Sequence, residues 1–199
     1  MINQIKEKMG NSKDLVVREL DLCNEKVSLV FFESLCDSRN INDFVLEYLS
    51  YLKANKKIIL NLKEYLKKYI PAYKVIEVKD IDEIMTYLFY GFAVLIVGDA
   101  YYAMEFRRFL DSGIAKVENE KTIKGPRDAF TENYQTNLGL IRKRIRNENL
   151  WLKEATVGKR SNTRVGILYM KDICDERLVN EVIKRIESID IDAIPDSSY

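Results

Sequence analysis

The chain has 199 residues and a mass of 23.3 kDa, enough for one large domain or two small ones. Apolar residues make up 47% and charged residues 32%, as in folded proteins rather than disordered ones. The net charge of +1 excludes a strongly basic nucleic-acid-binding protein and an acidic tail protein. The absence of histidine excludes imidazole acid/base catalysis and imidazole metal sites.

The cysteine content and the hydropathy of the chain indicate its cellular environment. Cys23, Cys36 and Cys174 form no CxxC pair and are too few for a disulfide framework, which favours a reducing, cytoplasmic setting. The first ten residues lack the apolar core of a signal peptide. The longest mostly apolar run, 87–98, has about 12 residues and is too short to cross a bilayer. We therefore expect a soluble chain without a membrane anchor.

Hydrophobic periodicity predicts nine elements in the first half of the chain. In order, they are a helix at 2–9, strands at 15–20 and 27–32, helices at 41–52 and 58–69, a strand at 73–78, a helix at 81–88 and hairpin strands at 92–97 and 101–106. Phe44 and Tyr69 fall on the apolar faces of their helices and are expected to point inward. Asp80 and Glu83 have the spacing of a capping box at the start of helix 81–88. This order favours a mixed β-sheet flanked by helices.

The second half begins with a stretch of turn residues and no sustained period, from about 111 to 131. Thr131 is expected to cap a helix, with Tyr134, Leu138, Ile141 and Ile145 facing inward. Strands are predicted at 151–157 and 163–170. The predicted organisation is a first subdomain at 1–112, a linker at 113–131 and a second subdomain at 132–199.

The second strand pair and its helix repeat the first at a constant separation of 138 residues. At this separation the following pairs coincide: Val27 with Val165, Phe31 with Tyr169, Leu35 with Ile173, Cys36 with Cys174, Asp37 with Asp175, Arg39 with Arg177 and Asn42 with Asn180. The predicted fold is therefore α/β (α+β), with two related subdomains, each a mixed β-sheet flanked by helices. The second copy stops where the first continues through another strand, helix and hairpin, so we expect it to be truncated.

Two patterns, one of cysteines and one of aspartates, could carry chemistry. Cys36 and Cys174 precede an arginine by three residues, so each is either a reactive thiol or a small buried residue at a strand–helix junction. Paired aspartates at 80 and 82 and at 190 and 192 could bind a hard cation, but neither pair lies in a recognisable binding loop. The sequence has no phosphate-binding glycine motif. From the sequence we therefore expect a protein that binds no metal ion or cofactor and is not an enzyme.

Basic residues are concentrated in 116–171, which has more than twice as many Lys and Arg as Asp and Glu. They include Arg142, Lys143, Arg144 and Arg146 on one helix, and Lys159, Arg160 and Arg164 further on. Such a patch is either a site for phosphates or an acidic lipid surface, or a solvated helix face. Because no aromatic residues are interleaved with these charges, nucleic-acid binding is not predicted.

The stretch 124–133, KGPRDAFTEN, is the most distinctive. Gly125 and Pro126 fix a sharp change of direction, and Arg127 and Glu132 follow them. This is either a structural corner or a binding site, for which Arg127 would be the natural carboxylate or phosphate anchor.

Together with WLKEATVGKRSNTRVGILYM and RIESIDIDAIPDSSY, the stretch GPRDAFTENYQTNLGLIRKRIRN resembles the A subunits of GerA-type spore germinant receptors. The N-terminal NSKDLVVREL and GFAVLIVGDA are also similar to this family. The matching motif positions are Gly125, Pro126, Arg127, Glu132, Asn137, Arg142, Arg144, Gly158 and Arg160. The family gives them no established catalytic role. Ala129, Lys159 and Ser198 depart from the family pattern.

The resemblance implies the soluble N-terminal region of a membrane protein that acts with B and C subunits in the spore inner membrane. This region is expected on the core, or cytoplasmic, side, with the membrane part following it. The leading hypothesis is a non-enzymatic domain for receptor assembly and signal coupling, including self-association of A subunits. The basic helix Arg142–Arg146 is its predicted contact face. The alternative is a module that binds a small nutrient or nucleotide between its two subdomains.

Overall fold

The computed structural model describes residues 1–55, 59–109 and 130–194. The chain packs as two compact units: a large unit of Val16–Arg146 and a small unit of Met1–Leu15 with Asn147–Tyr199. Packing thus groups the first helix with the C-terminal part of the chain, whereas the predicted boundaries follow chain order. The predicted linker 113–131 lies outside the described residues except for Phe130 and Thr131.

Helices and strands cover most of the described residues. In chain order they are α1 (Ile2–Lys8), β1 (Leu15–Leu22), β2 (Glu25–Phe32), α2 (Ser38–Ile41), a π-helical turn (Asn42–Leu46), α3 (Glu47–Ala54), α4 (Leu62–Tyr69), β3 (Val75–Val78), α5 (Ile81–Phe89), β4 (Phe92–Val97), β5 (Ala100–Glu105), α6 (Tyr134–Arg144), β6 (Leu150–Val157), β7 (Thr163–Met170) and α7 (Glu176–Glu187). The α/β class, with two sheets flanked by helices, is confirmed.

The sheet of the large unit has the order β1-β2-β4-β5-β3. Its pairings β2–β4, β4–β5 and β3–β5 are antiparallel. The sheet of the small unit is the antiparallel pair β6–β7, with Leu150 opposite Met170 and Val157 opposite Thr163. Both predicted hairpins, 92–106 and 151–170, are therefore confirmed.

The core of the large unit is built around β4, in which all six residues are buried. One face of the sheet packs with apolar residues of α2, the π-helical turn, α3 and α4, including Val45, Leu49 and Leu66. On the other face α5 packs against β2 and β4, where Phe32 stacks on Phe89 with 5.7 Å between ring centroids. A continuous apolar strand is typical of a sheet that is covered on both faces.

In the first half of the chain, two residues that were predicted to face inward are exposed. Phe44 is 49% exposed because it lies in the π-helical turn, whose wider hydrogen-bonded ring rotates the apolar stripe away from regular helical spacing. Tyr69 is exposed at the last position of α4. That helix starts later than predicted, because the side chain of Asn61 caps it by accepting from Glu64 N at 3.2 Å.

The internal repeat is confirmed at the level of hydrogen bonds. Strands β2 and β7 both begin and end 138 residues apart, and so do the starts of α2 and α7. Cys36 N donates to Phe32 O at 2.9 Å, and Cys174 N donates to Met170 O at 2.8 Å. Each turn therefore closes in the same way, which makes strand, turn and helix one repeated structural unit.

The aspartate that follows each turn caps the next helix. Asp37 accepts from Arg39 N at 3.1 Å and from Asn40 N at 3.2 Å. Asp175 accepts from Arg177 N at 2.8 Å. Both contacts satisfy amides that have no partner inside the first helical turn.

We expect Asp37→Ala to lower the free energy of unfolding of the large unit by about 1 kcal/mol, because two first-turn amides lose their acceptor. Urea unfolding measures the change. The matched control is Asp37→Asn, which keeps a capping oxygen and should retain most of the stability. Equal losses in the two variants would contradict the capping role.

Candidate functional site

The basic helix α6 is entered through a clamp made by Asn137. Thr131 N donates to Asn137 Oδ1 at 2.7 Å, and Asn137 Nδ2 donates to Thr131 O at 2.7 Å. The N-cap is Asn133, which accepts from Thr136 N at 2.9 Å, so the prediction that Thr131 caps this helix is wrong. Asn137 is half-buried and fixes the backbone that precedes the helix, while Glu132 is exposed beside it.

Arg142 lies inside the large unit and not on its surface. Its side chain is 0% exposed, and its Cζ atom lies 4.6 Å from the centroid of the Phe32 ring. A guanidinium over an aromatic face is an attractive cation–π arrangement. The predicted contact face Arg142–Arg146 is therefore corrected at its first residue, since a buried side chain cannot meet a partner.

The exposed cations of this region lie at the C-terminal end of α6. Lys143, Arg144 and Arg146 are exposed, and Arg146 Cζ lies 4.5 Å from the Tyr90 ring centroid. We call these three residues the basic end of α6. Positive charge there is favourable, because the last carbonyl groups of a helix carry partial negative charge. Ile145, predicted to point inward, is exposed just after the helix.

In the small unit the loop that starts at Gly158 binds the segment 190–192. Lys159 N donates to Ile191 O at 2.9 Å. Asp192 O accepts from Arg160 N at 2.9 Å and from Ser161 N at 3.2 Å. Gly158 has a φ of +88°, and a Cβ atom there would meet Ser161 Oγ. Two stretches that are far apart in sequence are thus joined by their backbones.

The charges of this loop are also paired. Lys159 Nζ lies 2.5 Å from Asp190 Oδ1, and Arg160 Nε lies 3.6 Å from Asp192 Oδ2. All four side chains are exposed, so each pair adds little stability. Both aspartates face a cation of the loop, and the described residues contain no group of three or more potential ligands for a metal ion. Arg160, predicted as a binding residue, therefore lies in a structural junction.

The predicted structural corner at Gly125 and Pro126 lies outside the described residues. Arg127 lies outside them as well, so the interpretation of this stretch stays a prediction. The predicted site residues are divided between the two units: Asn137, Arg142 and Arg144 belong to the large unit, and Gly158 and Arg160 to the small unit.

Sequence reasoning missed two features of these regions. Arg142 follows the buried Leu138 by four residues, which places both on one helix face, and this spacing could have indicated its burial. The junction between the Gly158 loop and 190–192 left no local signal, because hydrogen bonds between distant backbones do not depend on side-chain type. Only the charge pattern of Lys159 and Arg160 against Asp190 and Asp192 hinted at it.

Cys36 is confirmed as a small buried residue at a strand–helix junction. It is 1% exposed, and burial raises the pKa of its thiol to about 12. Cys174, its counterpart, is half-buried. The guanidinium of Arg177, three residues on, pairs with Asp175 at 2.7 Å. The structure therefore gives Cys36 no activation as a nucleophile.

We expect Cys36 to resist thiol reagents in the folded chain. At pH 8 a thiol with this pKa is ionised in only about one molecule in ten thousand, and its burial blocks access. Titration with dithionitrobenzoate should give at most two fast-reacting thiols before unfolding and three afterwards. Cys36→Ala should leave the fast count unchanged, and loss of a fast thiol in this variant would contradict the expectation.

We expect Gly158→Ala to destabilise the small unit by about 1–2 kcal/mol, because an L-residue is strained at positive φ and its Cβ crowds Ser161. Urea unfolding followed by Trp151 fluorescence measures this. The double variant Gly158→Ala/Ser161→Ala removes the crowding and retains the backbone strain. Compared with Ser161→Ala alone, it should remain destabilised; full recovery would contradict the role assigned to φ.

The described residues, 1–55, 59–109 and 130–194, include no helix with the length and apolar character that a membrane crossing requires.

Comparison with known proteins adds to this geometry. Residues 3–199 match the family model described as "Bacillus/Clostridium GerA spore germination protein". The chain is 29% identical over its whole length to spore germination protein KA of Bacillus subtilis (strain 168), covering 37% of that protein. It is 33% identical to stage V sporulation protein AF of the same organism, with 94% of this chain and 38% of that protein aligned. The chain spans less than two-fifths of the length of these two relatives.

A solved structure is also similar. It is the crystal structure of the N-terminal domain of the A subunit of the Bacillus megaterium spore germinant receptor GerK3. The match has a TM-score of 0.73 and 28% identity, and covers 100% of this chain and 74% of that one.

Proposed function

Because this chain belongs to the GerA family of Bacillus/Clostridium spore germination proteins, we propose that it is the N-terminal domain of a germinant receptor A subunit. The observation that carries this proposal is the match of the entire chain to the N-terminal domain of the GerK3 A subunit. The domain acts in spore germination, on the core side of the spore inner membrane. The membrane part belongs to the remainder of the full-length subunit.

Within the receptor we assign this domain to assembly and signal coupling and not to catalysis. The names of its relatives describe germination and sporulation proteins and specify no reaction. The proposed partners are the B and C subunits and further A subunits. A domain of this kind transmits a signal when its contacts with a partner differ between the resting and the triggered receptor.

The basic end of α6 is the surface that supports a protein contact best. Its three cations lie within four residues of one another, are exposed, and stand at the C-terminal end of α6 or just after it. An acidic surface on a neighbouring subunit would meet them, and charge complementarity of this kind sets orientation and partner choice more than affinity. The buried side chain of Arg142 packs on the ring of Phe32 and so holds α6, which carries these cations, in place.

We expect Arg144→Glu in the full-length protein to slow nutrient-triggered germination several-fold without unfolding the domain. The reason is that a carboxylate at an exposed rim repels an acidic partner but costs the fold little. Germination rates of spores carrying the variant test the effect, and thermal unfolding of the 199-residue chain tests the fold. The matched control is Lys53→Glu, since Lys53 is an exposed cation in the last turn of α3 in the same unit.

A third variant distinguishes the loss of a partner contact from the loss of the folded structure. Arg142→Glu places a carboxylate at a fully buried position, so it should unfold the large unit and lower the amount of protein in spores. Normal germination with Arg144→Glu, or equal slowing with Lys53→Glu, would contradict the proposed contact. Slowing by Arg144→Glu together with an early thermal transition would assign the effect to the fold and overturn the contact as well.

Binding of a nutrient or nucleotide by this domain is the competing outcome. It depends on Arg127, which lies outside the described residues. Calorimetric titration of the 199-residue chain with amino acids, sugars and nucleosides at millimolar concentration tests it. We expect no heat of binding, and a saturable signal lost in Arg127→Gln would replace the coupling role with a sensing role.

A further inference from the structure

The outer edge of β7 differs from that of its counterpart in the large unit. Strand β2 is paired on both sides, with β1 on one edge and β4 on the other. Its pairing with β4 runs from Val27 opposite Val97 to Val30 opposite Val94. Within the described residues β7 pairs only with β6. The residues equivalent to Val27 and Val30 are Val165 and Leu168, and their edge has no strand beside it there.

The side chains of β2 and β7 also differ in their exposure to solvent. Val27, Leu29 and Val30 are all 0% exposed, whereas every residue of β7 from Val165 to Met170 is only half-buried. The contrast is larger in the turn that follows, where Leu35 is 6% exposed and its counterpart Ile173 is 79% exposed. A row of unpaired amides and carbonyls next to apolar side chains is a template for another strand.

In the large unit the turn that contains Leu35 is covered by backbone that has no counterpart among the described residues of the small unit. Residues that continue β5 run alongside the turn: Arg108 N donates to Leu35 O, and Asp37 N donates to Phe106 O, each at 2.8 Å. These residues come directly after β5, in the part of the first copy that follows its helix and includes β3, α5, β4 and β5. Within residues 150–187 the second copy contains the equivalents of β1, β2 and the helix.

We propose that the outer edge of β7, at 165–168, binds a further antiparallel strand supplied by the segment that follows residue 199 in the full-length protein. This strand is the counterpart of β4, and it pairs in the register of the repeat. The lengths of the relatives support this occupant over a second copy of the chain. The chain covers 37% of spore germination protein KA and 74% of the solved GerK3 domain, so that domain contains further residues.

This inference concerns the completion of the small unit and does not depend on the receptor role of the protein. Strand addition satisfies the outward amides of β7 and covers the apolar side chains of its neighbourhood in one step. The added strand also provides an attachment between the small unit and whatever follows it in the chain.

Hydrogen exchange read by mass spectrometry tests the proposal on the 199-residue chain and on the full-length protein. In an antiparallel pair, alternate amides of a strand point to each edge. We expect the outward amides of 165–168 to exchange roughly 100-fold more slowly in the full-length protein than in the 199-residue chain. Amides of 27–30 should be slow in both, as an internal control, and slow exchange in β6 shows that the β6–β7 hairpin is formed.

Two results would overturn the proposal. One is equal exchange of 165–168 in the two proteins, which would mean that nothing in the longer chain pairs with this edge. The other is slow exchange in the 199-residue chain that is lost on dilution, which would assign the edge to a second copy.

Discussion

The burial of β4 on both faces is the constraint on which the large unit depends. An all-apolar strand of six residues is stable only if helices cover the sheet on two sides. The α2–α4 region supplies one cover, and α5 supplies the other. The position of the remaining elements follows from this layering. Phe32 on β2 points to the α5 side, and there it meets both Phe89 and Arg142.

The buried guanidinium of Arg142 connects that core to the proposed contact surface, the basic end of α6. A cation is costly to remove from water, so its place over an aromatic ring is tolerated where the ring face and polar contacts compensate. The result is that α6 is held at its C-terminal end by Arg142 and at its N-terminal end by the clamp of Asn137 on Thr131. The exposed cations at the C-terminal end of α6 therefore lie on a helix that is held at both ends.

Much of this fold could be predicted from periodicity and turn chemistry. The strands, the two hairpins, the capping aspartate Asp80 and the repeat at 138 residues all follow local rules, and local rules were sufficient for them. Errors arose where tertiary packing or unusual backbone geometry decides. The π-helical turn exposes Phe44, and packing against Phe32 buries Arg142 although arginine is usually a surface residue. The junction of the Gly158 loop with 190–192 depends on hydrogen bonds between distant backbones, which composition does not encode.

The repeat explains why similar sequences give units of different completeness. Strand, turn and helix close in the same way in both copies, because the turn needs only local hydrogen bonds and a capping aspartate. Burial of the strand is not local, since it requires neighbours on both edges and covers on both faces. The large unit supplies these from its own chain, and β2 is buried as a result. In the small unit, within the described residues, β7 pairs with β6, α7 packs against β6, and the Gly158 loop is hydrogen-bonded to 190–192. Because β7 has a neighbour on one edge only among these residues, it stays half-buried although its turn and helix close as in the large unit.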